Sequence, residues 1–576
     1  MKTNIFNKTL GTWYLVALSL VLSLGFSSCN LDYFPSDELN SDLLLQDAKG
    51  AEYIMDGCYA LMKDEVEFLG YASGNTYLRH YFQLAEFPAD NICLSSHTTD
   101  PLYEATAYMM NDGLKNVGTL WMVGYKIIYM TNTVIETLDE SVQENRQLLG
   151  EAYFMRGLMH LHLVTLYAKP YSMGRDNLGV PLRTSTASEV TVRNPVGEVY
   201  DQIVKDLTKA SELMGASRGN AGYPSRDAAL GVLSRVYLYM EEYDKCIATV
   251  NEALNGADPA SKLETDFANY FANAKTSKET LFCIAHETSD DCGQSSIGSM
   301  YLKDGIGWGE IYPSDPLMYL YERYPDDIRY KDFLWKQFKE GSTKTYAYFP
   351  DPASISDETG SVKLKFEVTA DASGNYSFKS GGTTYEVEKR MINGKGEADP
   401  SGEYYEYHVN YGGMDCLVRI APEMILRTGY SFPMIFVKKF SYQDGNPMLS
   451  SPVLCRWAEV ILNRAEAEAR SGKDAEALAD VNVIRTRAGI PAEGMFSVGN
   501  LHGYDNVADI VMDERRMELA FEGHRMFDVY RNKQNMDRRY AGAQPWKVVP
   551  YTEPHIQYPI PNNEWTVSGI EQNPGY

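Results

Sequence analysis

Several stretches of the chain carry the same local pattern: an apolar stripe at helical spacing, a short polar turn, and a second apolar stripe. In residues 227–254 the first stripe is Leu230, Leu233, Tyr237 and Met240, and the second is Tyr243, Ile247, Val250 and Leu254, with Glu-Glu-Tyr-Asp at the junction. In residues 453–485 the stripes are Leu454, Trp457, Ile461 and Ala465, then Ala477, Val481 and Ile484, separated by Ser471-Gly472. Residues 150–168 place Ala152, Leu158, Leu161 and Thr165 near the same period. A helix with one apolar face cannot bury it alone, and alanine or glycine at inner positions lets a neighbouring helix approach closely. Such a chain has to stack helix pairs.

The fold expected is therefore mainly α, a tetratricopeptide-like helix-pair scaffold whose period is irregular and whose insertions are long. At 576 residues the chain is long enough to bury a sizeable core. The middle breaks the pattern. Residues 341–416 are rich in Gly, Ser, Asp, Thr and Tyr, and carry alternating runs at Val362–Val368 and Thr383–Val387 that read as short strands. The resulting division is a leader at 1–28, a helical-repeat part at 29–340, a loop- and β-rich insertion at 341–416, and a C-terminal part at 417–576 packed with the N-terminal part as one unit. A loop-rich face on a helical frame is where binding specificity usually resides.

Charge narrows the partners. There are 53 Lys+Arg against 78 Asp+Glu, a net of −25, which argues against nucleic acid and against docking on anionic lipid through a basic patch. The 42 Tyr against 21 Phe indicate rings that need both a packing face and a wet hydroxyl. The N-terminus has Lys2 and Lys8, an apolar run from Leu10 to Phe26, and then Ser27-Ser28-Cys29, the layout of a secretory leader. The ending resembles a bacterial lipobox, with Phe26 where Leu is usual, which makes Cys29 the first mature residue and the lipid attachment point. Without the two lysines the net charge becomes −27. The seven other cysteines are scattered without a C-x-x-C and read as buried small hydrophobes, so neither a disulfide framework nor a zinc site is expected.

Further motifs, taken in order, carry a resemblance. They are Ala89-Asp90-Asn91, Arg456–Val460 with Asn463–Ala467, the run Asn482–Gly489, the long segment Glu514–Asp528, Pro559-Ile560-Pro561, and Gln572–Tyr576. Together with Cys29-Asn30 the chain resembles, over essentially the whole mature sequence, the SusD/RagB family of outer-membrane nutrient-binding lipoproteins of Bacteroidetes. The resemblance implies a tetratricopeptide scaffold with a loop-rich face and lipid anchoring at the cell surface. It also implies service as the binding lid of a SusC-like TonB-dependent transporter. Glycan is the expected ligand and peptide the alternative. A surface glycoside hydrolase and a purely structural transporter subunit are the readings from other classes.

No nucleophile elbow, Walker A loop or H-E-x-x-H motif occurs, and no catalytic residue, cofactor or metal is expected. Acids and bases crowd together in Glu514–Asp528, where Glu514, Glu518 and Glu522 share a helical face and Arg515, Arg516 and Arg525 offer partners; this reads as architecture. His160 and His162 lie two apart, point to different faces, and read as ordinary helix residues. The Glu403–Tyr407 run reads as packing within the insertion. The ligand-contact candidates are aromatics on Gly-rich loops: Trp308 and Tyr312 in Gly305–Ser314, and Tyr77 and Tyr81 in Gly70–Tyr81. A ring on such a loop can stack on the apolar face of a sugar and leave its hydroxyls to carboxylates, Asn and Arg.

Overall fold

The computed structural model describes residues 49–68, 71–73, 76–94, 103–187, 192–354, 363–427 and 432–576. The leader, Cys29, Gly70 and Gly74-Asn75 lie outside the described residues. Successive antiparallel helices pack as neighbours: Lys115–Thr137 on Arg146–Tyr167, then Val196–Leu213, Arg226–Tyr239 and Tyr243–Leu254. The stack then receives Trp457–Arg470, which packs on both members of the 226–254 pair and is followed by Asp474–Arg487 and Val507–Glu518. Segments more than 200 residues apart thus build one helical frame, within a compact unit that runs from Ile54 to Tyr576. The fold is mainly α.

Local chemistry sets the helix ends. Ser225 accepts a hydrogen bond from the backbone N–H of Ala228 and starts Arg226–Tyr239. Asn255 takes the left-handed conformation that stops Tyr243–Leu254. The Arg226–Tyr239 helix is buried on nearly every side, so the expected single stripe is too narrow: Tyr237 is only half-buried, and Tyr239 takes the deep position. Its polar residues are buried with partners, Ser234 with Asn463 at 3.0 Å and Arg235 with both oxygens of Glu459. A Cβ at Gly231 would stand 2.8 Å from Cys455 Sγ, so only glycine lets this helix approach the neighbouring strand. That strand, Val453–Arg456, pairs antiparallel with Thr280–Cys283; Leu454 therefore belongs to a strand, not to the helical stripe.

The insertion is a seven-stranded antiparallel sheet in the order 363–367, 345–350, 414–422, 404–411, 383–392, 376–380, 369–370. Its last strand, Met414–Pro422, runs past the boundary expected at residue 416. The sheet has a core of its own, including Phe349, Phe378, Val387, Val409 and Val418. Phe366 on the first strand stacks on Phe378 on the sixth, with centroids 4.6 Å apart and planes at 10°, so the sheet curls over its own core. The seven described cysteines are free, six of them buried.

One ionic network ties these parts together. Arg456, at the end of its strand, reaches Glu522 (2.8 Å), Glu518 (2.6 Å) and Glu279 (2.9 Å). Arg329 reaches Asp327 (2.7 Å), Glu514 (2.6 Å) and Glu518 (3.2 Å); Arg485 and Arg487 add bonds to Glu514 and Glu518, and Lys439 to Glu522. All of these side chains are almost wholly buried. Burial opposes charge on Glu522, but Arg456 and Lys439 outweigh it and hold its carboxyl at about 2. Removing one partner leaves another buried charge unpaired. Glu522→Gln should therefore lower the unfolding free energy by about 3–5 kcal/mol at pH 7. Because the folded state favours the charged carboxylate, this loss should be full above the ordinary value of 4.5 and shrink as pH falls towards about 2. Urea titrations of both proteins over that range check it. Asp201→Asn, which cuts an exposed pair with Arg175, should leave the urea midpoint where it is.

Candidate functional site

The four aromatic candidates separate on folding. Tyr77 and Tyr81 sit four apart on the helix Thr76–Glu86, so both rings face the same way, and that way is inward. The Tyr77 hydroxyl lies 3.0 Å from His162 Nδ1, and Tyr81 stacks on the same imidazole at 3.9 Å. Both tyrosines are buried, and burial drives the His162 pKa well down, so a neutral ring lies between them. The stretch read as a Gly-rich loop holds a strand and then this helix, which is why Tyr77 and Tyr81 are core. Tyr312 is also buried: it lies on Ile311–Pro313, paired with Cys93 of Ile92–Leu94, and packs against Phe436 with centroids 6.2 Å apart. None of these three offers a ring to solvent. His160 and His162 are buried helix residues.

Trp308 differs. It is 46% exposed, on a loop folded tightly against the short helix Gly298–Tyr301. The N–H groups of Trp308 and Gly309 both donate to the Ser299 carbonyl, at 2.7 and 3.1 Å. Gly309 has φ of +54°, and a Cβ there would stand 2.8 Å from Phe436 Cε1, so the loop lies directly on that ring. Across the strand pair Phe436 faces Trp335, with centroids 5.9 Å apart and planes at 63°. Trp335 is 39% exposed and Phe338, just beyond it, 44%. Phe436 is thus buried between half-exposed Trp335 and the backbone of the loop that carries Trp308.

A charged pair borders them: Arg427 donates to Glu310 at 3.0 Å and lies 3.5 Å from the Gly309 carbonyl. Aromatic faces take the C–H face of a pyranose, while a carboxylate accepts from, and a guanidinium donates to, its hydroxyls. Trp335, Phe338, Glu310 and Arg427 were not singled out in the sequence. The signal for Trp335 is alternation, since Leu334 points inward and its neighbour must point out. Arg427 comes from a segment more than 100 residues away and had no local signal. Among the described residues no group of His, Cys, Asp or Glu is arranged to hold a metal ion, and no helix is long and apolar enough to cross a membrane.

A family model described as "SusD family" matches residues 278–576, more than half of the chain. The chain belongs to the SusD family. A second model, described as starch-binding and associating with the outer membrane, matches residues 54–238. SusD-like protein P2 of Formosa agariphila is 24% identical over 499 residues, covering 82% of this chain and 83% of that protein. A SusD superfamily protein of Bacteroides thetaiotaomicron has a similar crystal structure, with TM-score 0.67, 22% identity, and coverage of 92% of this chain and 99% of that one. A SusD-like carbohydrate-binding protein of Bacteroides vulgatus has TM-score 0.59 and 18% identity, covering 90% of this chain and 96% of that one.

The SusD-family motifs of this chain prove to be architectural. Asp90 pairs with Arg525 at 2.7 Å and with Arg516 at 3.3 Å, and Asn91 accepts from Arg516 at 2.9 Å, so the Ala89–Asn91 motif clasps the C-terminal Glu514–Asp528 segment. Core and surface aromatics are therefore expected to respond differently. Tyr81→Ala should cost about 3–5 kcal/mol of stability, whereas Trp308→Ala should change it by no more than about 0.5 kcal/mol, as measured by denaturant unfolding.

Proposed function

We propose that this chain captures oligosaccharide or polysaccharide at the outer face of the outer membrane and passes it to a SusC-like TonB-dependent transporter, without catalysing a reaction. A lipid on Cys29 holds it at the membrane. The observation that carries the reading is the exposure of two tryptophans on elements that meet at Phe436: Trp335 packs against that ring and Trp308 sits on the loop that covers it, with Glu310 of the same loop paired to Arg427. The description of the matching family as starch-binding supports the ligand class, and the carbohydrate-binding relative supports it further. The Asp90–Arg516–Arg525 clasp and the network around Glu514, Glu518 and Glu522 commit these acids and bases to packing, which supports the non-enzymic reading.

A tryptophan ring stacked on a sugar contributes through the apolar area it removes from water, about 25 cal/mol per Å². Trp308→Ala and Trp335→Ala should each weaken binding in a glycan panel roughly tenfold by calorimetry, with unchanged thermal midpoints. Retention of peptides and of no glycan would overturn the ligand class, and new reducing ends on incubation with pure protein would overturn the non-enzymic reading. Cys29→Ala should move the protein from the membrane fraction to the soluble fraction.

A further inference from the structure

A cleft of about 290 Å³ lies where the curled sheet meets the helical frame. That is at the lower end of the range for small-molecule sites, roughly 300–1,000 Å³. Its aromatic walls include Tyr405 and Tyr407 from the sheet and Phe338 from the frame. Tyr405 is 50% exposed and stands 5.5 Å from Tyr407. The Glu403–Tyr407 run, read from the sequence as packing, thus also faces an open space.

The charged groups in the cleft are unequally satisfied. Arg419 is paired with Glu322 and lies 3.7 Å from Asp315. Arg323 donates to the Gly394 carbonyl and lies 3.4 Å from the Tyr504 hydroxyl. Glu406 lies 3.5 Å from His408, and the exposed carboxylate of Glu403 also lines the cleft. Lys336 is half-buried, and its ammonium has one hydrogen bond, to the Tyr330 carbonyl at 3.0 Å, and sits 3.4 Å from the centre of the Tyr330 ring. No carboxylate of the described residues lies within 4.0 Å of it. An ammonium has three donors, so two are left toward the cleft or the ring face. Partial burial lowers its pKa to about 8; Glu322 and Asp332 favour the charge and Arg419 opposes it.

We propose that this cleft is a second carbohydrate site that takes a sugar bearing a carboxylate, a hexuronic acid, with the carboxylate on Lys336 and the ring against the aromatic walls. A half-buried ammonium with one carbonyl partner and no carboxylate has donors left for an anion, whereas Arg323 and Arg419 already have partners. The size admits a short stretch of sugar rather than a long chain. Lys336 directly follows Trp335, and neighbours on a strand point to opposite sides, so one strand serves both the tryptophan surface and the cleft. The inference rests on the carbohydrate-binding reading but turns on Lys336, which that reading does not use.

The test is calorimetry on the mature chain with trisaccharides of galacturonic, glucuronic, mannuronic and guluronic acid, each beside its methyl ester. At least one acid should bind tenfold or more tightly than its ester. Lys336→Met should abolish that difference, and Trp308→Ala should leave it intact. The preference should fade between pH 7 and 9, as the ammonium loses its proton around 8, and in Lys336→Arg it should persist through that range. The Arg variant also decides the matter if the Met variant fails to fold. The proposal is overturned if no acid is preferred to its ester, if the preference survives in Lys336→Met, or if it vanishes in Trp308→Ala. Should neutral glycans not bind while the Lys336-dependent preference holds, the cleft stands and the tryptophan surface falls.

Discussion

Arg456 is the point from which the architecture hangs. Its guanidinium is 1% exposed and its donors go to three carboxylates, Glu279, Glu518 and Glu522, and to the Glu518 carbonyl. Taking such groups out of water is costly, and the cost is met only when every partner is present with good geometry. Those partners come from residues 279, 327–329, 439, 456, 485–487 and 514–522. A chain that places one of these segments wrongly leaves a charge buried and unpaired. The network therefore selects the arrangement of the whole frame, beyond what apolar packing requires.

A frame held in this way can carry a surface site on loops without loosening it. The Trp308 loop has no regular structure, yet two N–H bonds to Ser299 and the contact of Gly309 with Phe436 fix it. Phe436 in turn lies in a strand pair with Trp335, and the neighbouring segments of that pair join the frame through Lys439, a member of the ionic network. Rigidity at the base lowers the entropy cost of ordering any ligand that contacts this surface.

Much of the fold was legible in the sequence because helix formation is a local matter. The stripes in 227–254 and 453–485 correspond to helix pairs, and the alternation in Lys363–Glu367 and Thr383–Val387 to strands. The Glu514–Asp528 segment reads correctly as architecture, but its partners do not. Arg515 joins Glu466 and Asp528, while Arg516 and Arg525 join Asp90; Glu514 and Glu518 take arginines from elsewhere. Leu454 and Tyr237 fell outside their stripes because a neighbouring strand and an all-round buried helix reset which faces are covered. The site was harder to read. A tyrosine on a glycine-rich stretch looks exposed, yet Tyr77 and Tyr81 are buried by His162, some 80 residues away, and Tyr312 by Cys93 and Phe436.

The sequence alone determined the helix pairs, the strand-forming insertion, the acidic balance and the ordered motifs of the SusD family, since each depends on residues near one another in the chain. Only the tertiary structure decided which aromatics face solvent, that Phe436 meets both Trp335 and the backbone of the Trp308 loop, and that Lys336 opens on a cleft without a carboxylate partner. Exposure and pairing depend on what packs from distant segments, and no period along one segment reports that.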